Sequence, residues 1–150
     1  MLTRTPEQIA LSETNRLCRE IVHLAADAAE QANDSGVKLV MTELARTHRK
    51  LVTALDECIR ATGDLPRGSD PDLETVKELA TRAKKVFASD GDAVLLDERI
   101  TAEQELLAYI AESLALELGS EVRACLEDAQ RTAREALVKL HNERELRNPP

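Results

Sequence analysis

His48 and Glu103 are the two titratable side chains that helical periodicity sets among apolar ones. An imidazole and a carboxylate brought into one core can share a proton, or can supply two ligands to iron or manganese. A buried carboxylate needs a partner, and a histidine is the obvious one on offer. The plain reading is a satisfied buried pair. The chemical reading is a reduced metal site with His48 and Glu103 as its ligands. Glu20-Ile-Val-His23 has the Glu-x-x-His spacing that carries ligands to carboxylate-bridged metal pairs in helical bundles. Both residues fall opposite Leu17, Ile21 and Leu24, so the spacing predicts solvated surface instead. Glu43 and His48 lie about 140° apart around a helix and cannot share a metal from one face. His141 falls in the last turns of a helix, where a cation is favoured.

Nucleophile and phosphate chemistry find little support. The chain has no Walker A sequence, no GxGxxG and no GxSxG. No Ser or Cys has a placed histidine base, so no triad follows. Cys18, Cys58 and Cys125 are far apart, odd in number and without a CxxC spacing. They predict three reduced, partly buried thiols in a cytoplasmic protein, not a zinc ribbon or a thioredoxin-type site.

The elements that must position these residues are helices. Gly and Pro cluster in short breaks, and between the breaks run Ala, Leu, Glu, Lys and Arg. The first helix is predicted from about Pro6 to Ala32 with Thr5 as N-cap. The second covers about Val37 to Thr62, with Gly63 just past its end. A shorter helix of about 72–88, capped by Ser69 or Asp70, follows the loop GDLPRGSDP. The last two cover about 92–118 and 120–147, and LRNPP is read as a frayed tail. The whole of 1–150 reads as one domain with a core of about 5–147.

Four long helices of about 40 Å form a bundle. The connection between the second helix and the fourth of the five is too long for a hairpin, and its short helix carries the chain back along the bundle. The second and fourth helices are then parallel, with His48 and Glu103 at similar height. The predicted fold is an all-α, ferritin-like four-helix bundle with a long crossover containing an additional short helix. The fourth helix has two apolar stripes: Leu96, Ile100, Leu107, Ala111, Leu114 and Leu118, and, roughly opposite, Leu95, Ala102, Leu106, Tyr109 and Leu116. The second is expected to lie under the crossover helix, through residues such as Val76, Leu79 and Val86, or under another subunit.

Composition narrows function by exclusion. Aromatic residues are 1% of the 150, which excludes a β-sandwich and base-stacking platforms for single-stranded nucleic acid. The net charge of −8 opposes phosphate backbones and anionic lipid, so neither nucleic acid nor membrane is an expected partner. Residues 92–118 hold seven acids and one Arg. They are read as acids paired with bases on neighbouring helices, or as an acidic edge for a basic protein partner.

Several strings resemble a family of small bacterial ferritin-like proteins, a domain of unknown function distantly related to the di-iron carboxylate bundles. They are LCREIVHLAADAAE followed by ND, ELARTHRKLVTALDECIRATGDLP, the Ser-Asp-Pro-Asp-Leu entry to the crossover helix, and SDGDAVLLDERITAEQELLAYIAESL. The resemblance covers residues 5–145 and implies a ferritin-like bundle without an established activity. The di-iron pattern wants about six inward ligands. This chain offers His48 with Ala45 at −3, and Glu103, while the fifth helix turns apolar or small residues inward. The expectation is a non-catalytic bundle without cofactor. The alternatives are a metal-binding protein for iron storage or oxidation, and a docking module with an acidic face. Homodimerisation is the rival to the crossover helix as the cover for the second stripe.

Overall fold

The computed structural model describes residues 3–67, 71–88 and 90–147. Five helices occupy them: α1 (Pro6–Gln31), α2 (Ser35–Ala61), α3 (Pro71–Phe87), α4 (Gly91–Leu114) and α5 (Ser120–Leu146). There is no strand among the described residues, and no described helix is long and apolar enough to cross a membrane.

The ends follow local chemistry. Thr5 Oγ1 accepts the Gln8 N–H while the Gln8 side chain accepts the Thr5 N–H, a reciprocal capping box. Asp34 and Asp90 cap α2 and α4 by accepting the N–H groups two and three residues on. Gly63, at φ 86°, takes the left-handed conformation just past α2 that other residues resist. The caps expected for the crossover helix, Ser69 or Asp70, lie outside the described residues, as does the end of the LRNPP tail. α4 stops at Leu114, not near 118. The Ala115 and Leu116 N–H groups reach back three residues to Glu112 and Ser113, and the tightened turn unwinds toward Gly119, the N-cap of α5.

Two ends of the bundle can be told apart. At one end the backbone N–H groups of Asn33 and Asp34 donate to the buried Asp92 carboxylate at 3.0 and 2.8 Å, and Arg147 pairs with Asp90 at 2.9 Å. At the other end Gly119 N–H reaches Glu7. α2 and α4 therefore start together and run parallel, with α1 and α5 running the other way. α3 carries the chain back along the outside, against α4 and α1.

The core fills with the inward faces of α1, α2, α4 and α5, among them Leu11, Ile21, Met41, Leu55, Leu96 and Leu126. On α4 the buried line is Leu95, Leu96, Ile100, Leu106 and Ile110, while Ala111 is exposed. Because α4 packs against α1, α3 and α5 together, its two apolar stripes both contribute to one core.

Two expectations are overturned by the packing. α3 does not cover its neighbours with its apolar face. Its polar side turns inward: Lys77 pairs with Glu20, Arg82 with Asp27 at 2.6 Å, Lys84 with Glu98 at 2.6 Å, and Lys85 donates to the Gln31 carbonyl. The surface it lies on is itself polar, and Val76, Leu79 and Val86 are left outside, 63%, 61% and 77% exposed. The cysteines are not three free thiols either. Cys58 and Cys125 form a disulfide with Cα atoms 7.0 Å apart, and Cys18 alone is free. Cys58 lies in the last turns of α2 and Cys125 in the first turns of α5. The antiparallel packing of those helices brings together positions 67 apart in sequence.

Candidate functional site

Height along the bundle decides which titratable groups meet. His48 lies midway along α2 and Glu103 midway along α4, and the two helices start at the same end. Across the bundle axis His48 Nε2 comes 2.8 Å from Glu103 Oε1, with both side chains 0% exposed. The two sequence-derived site residues are thus brought together.

The other ring nitrogen fixes the imidazole. Nδ1 lies 3.0 Å from the Leu44 carbonyl oxygen one turn back, which can only accept, so Nδ1 carries a proton. Nε2 is left facing the carboxylate. The contact is short but not aligned as a hydrogen bond, and Nε2 and both Glu103 oxygens lack an aligned partner. The pair is closed off from the surface. Thr14 gives its hydroxyl to the Ala10 carbonyl at 2.8 Å and is not available to Glu103. Burial, and to a smaller extent the Glu103 carboxylate, push the Cys18 thiol far above its ordinary range, so it stays protonated.

A metal test follows from these groups. His48 and Glu103 supply one nitrogen and one carboxylate, and the neighbouring thiol is held protonated. Among the described residues no group of three or more His, Cys, Asp and Glu side chains is placed to hold a metal ion. The residues present do not fit a two-metal centre. Two external grooves are sizeable: one of about 570 Å³ lined by residues including Arg19, His23, Arg49 and Glu74, and one of about 450 Å³ around Thr62 and Ser120. Neither is lined by His48, Glu103 or Cys18.

Glu20 and His23 part company. Glu20 was expected on the surface, but it is only 6% exposed, covered by α3 and paired with Lys77. His23 remains exposed, with Nε2 3.1 Å from Glu78. His141 is exposed on α5. Of the acids on α4, Asp92 accepts backbone N–H groups, Asp97 pairs with Arg144, Glu98 with Lys84, and Glu103 meets His48. Glu105 and Glu112 remain exposed on that helix, and Glu117 is exposed in the turn after it.

Two buried polar features were not anticipated. Asn15 donates to Asp56 at 2.9 Å, and Arg19 binds Asp56 through both carboxylate oxygens, which ties α1 to α2. Arg99 is 6% exposed and, among the described residues, has no ion partner within 4 Å and no partner for Nη1. Burial pulls its guanidinium below the ordinary range, partly countered by Glu98, Glu20 and Glu103. One signal was available: Arg99 precedes Glu103 by four residues and so shares its face.

Comparison with known protein families, curated proteins and solved structures finds no match to this chain.

Proposed function

We propose that this chain is a non-catalytic, ferritin-like helical bundle that works through its surface as a binding or structural protein, without an iron or manganese centre. The single observation that carries the reading is the closure of His48 on Glu103. The pair sits at the axis with neither side chain exposed, and none of the described grooves opens on it. Among the described residues neither sizeable groove reaches this imidazole–carboxylate pair, and a carboxylate facing an imidazole within the same core has its charge met. The parallel α2 and α4 joined through α3 support the ferritin-like connection. An overall charge of −8 supports partners other than nucleic acid or membrane.

The test is elemental analysis of untagged protein from cells grown with added iron and manganese. The expected result is metal far below one ion per chain. One or two ions per chain, lost in His48→Ala, would overturn the reading in favour of the metal-binding alternative. The acidic-face alternative rests on Glu105, Glu112 and Glu117. It predicts salt-sensitive capture of a basic protein that charge reversal of these three abolishes.

A further inference from the structure

Charge, not apolar packing, fastens α3 to the bundle. Among its described side chains only Glu74 and Thr81 are buried, and both are polar. The buried apolar core draws on α1, α2, α4 and α5, and none of it comes from the described residues of α3. The fastening on α1 is a ladder at three- and four-residue steps. Glu20 takes Lys77, His23 lies 3.1 Å from Glu78 and 3.8 Å from Glu74, Asp27 takes Arg82 at 2.6 Å, and the Gln31 carbonyl accepts from Lys85. On the other flank Glu98 of α4 takes Lys84 at 2.6 Å. Two groups oppose the docking. Glu74 Oε1 and Arg99 Nη1 are buried without a partner among the described residues, and each keeps its desolvation penalty until water reaches it. Glu78 and Thr81 of α3 close a small cavity against Leu24, Asp27, Leu95 and Arg99.

We propose that α3 is a strap released by ionic strength: added salt lifts it from α1 and α4 and opens Arg99 to water, while the bundle of α1, α2, α4 and α5 stays folded. Exposed ion pairs are weak one by one and are screened by salt, and the screening length falls from about 30 Å at 0.01 M to about 3 Å at 1 M. The side chains of Lys77, Arg82 and Lys84 are 39%, 48% and 60% exposed, so salt reaches all three. Apolar burial carries no such screening, so a helix held by its apolar side would not respond this way. Salt weakens the ladder and leaves the two unmet polar groups as they were, which tips the balance toward opening. α3 has 17 residues, little more than the roughly 12–15 below which an isolated helix is marginal in water. Release and melting of α3 are therefore one event. Residues 62–70 and 88–90 keep both ends tethered, so the strap closes again when salt is removed.

Hydrogen–deuterium exchange of the full chain at low and high sodium chloride, read by mass spectrometry, tests this. The expected result is exchange about tenfold or more faster over residues 73–86 at 1 M than at 0.01 M, with the mid-helix amides of α1, α2 and α5 changing by less than about twofold. The variant Lys77→Ala/Arg82→Ala/Lys84→Ala exchanges fast over the same residues already at low salt and loses the salt response. A second measurement follows the cavity that the strap closes. Modification of Arg99 by phenylglyoxal, located by peptide mapping and scaled to the exposed Arg60, speeds up in salt together with the α3 amides. Exchange over 73–86 that is indifferent to salt or slowed by it would overturn the proposal, as would a triple variant that exchanges like the wild type. Salt-accelerated exchange in all five helices would mean that the whole chain opens and would overturn it too, as would an Arg99 equally protected at both salt concentrations. None of these failures changes the metal content, so they are separable from failure of the non-catalytic reading.

Discussion

Removing one member of the axial pair should cost far more than removing both. In His48→Leu the Glu103 carboxylate stays buried with no imidazole beside it, and both its oxygens already lack aligned donors. Breaking a buried pair from one side costs about 3–5 kcal/mol. At about 2–4 °C per kcal/mol for a chain of this size, the melting temperature falls by roughly 6–20 °C. Glu103→Leu leaves Nε2 without an acceptor or donor, a neutral orphan, and costs less, about 1–3 kcal/mol. The double variant His48→Leu/Glu103→Leu puts two side chains of similar volume into a core already lined by Leu44, Leu51 and Leu106, and comes back to within about 1 kcal/mol of the wild type. Urea unfolding followed by circular dichroism at 222 nm measures all four corners of the cycle. A coupling energy of about 2 kcal/mol or more is expected for groups in contact. Additive losses, with the double variant the least stable, would refute the account of a self-satisfying pair.

Three further outcomes follow from features around it. Reducing Cys58–Cys125, or replacing both with Ser, removes a cross-link spanning 67 residues, which loop entropy values at about 4 kcal/mol; unfolding by urea with and without reductant should show a lower midpoint when reduced, and coincident curves would refute it. Arg99→Met exchanges a buried guanidinium, whose Nη1 has no partner among the described residues, for an apolar side chain of similar length and should raise stability by about 1–3 kcal/mol; a lower melting temperature would mean that Glu20 and Glu103 depend on that charge. Asp64 and Asp90 are held below the usual carboxylate range by hydrogen bonds from Arg4 and Arg147 respectively. Their contribution is present above the unfolded value of about 3.9 and is lost as pH falls through their lower folded values. An acid titration should therefore show the stability loss of the wild type blunted in the Asp64→Asn/Asp90→Asn variant, and equal slopes would refute the assignment.

What was legible in the chain was whatever one helix decides alone. The Thr5 cap, Gly63 and the helical segments between the breaks follow from residues within a few positions of one another. The meeting of His48 with Glu103 needed one further step, the direction of the crossover, which its length indicates. What stayed hidden depends on which neighbour covers which face. Spacing put Glu20 opposite the α1 seam, which is correct, but it cannot say that α3 covers that opposite face. The same gap inverted the orientation of α3, whose apolar periodicity implied burial while its partners on α1 and α4 were acidic. Cys58 and Cys125 become neighbours only once α2 and α5 pack antiparallel, and no local spacing records that.

The fastenings at the two ends of the bundle differ in kind. Where α2 and α4 begin, Asp92 gathers the amides of the α1–α2 turn and Arg147 closes on Asp90. Where α2 finishes, a sulfur–sulfur bond joins it to α5. A thiol reagent cuts the covalent tie and leaves the ionic clasp untouched, so the molecule should fray from one tip like a rope whipped at only one end. Amide exchange under reducing conditions would then spread inward from Thr62 and Val122, reaching the turn at Asn33 last.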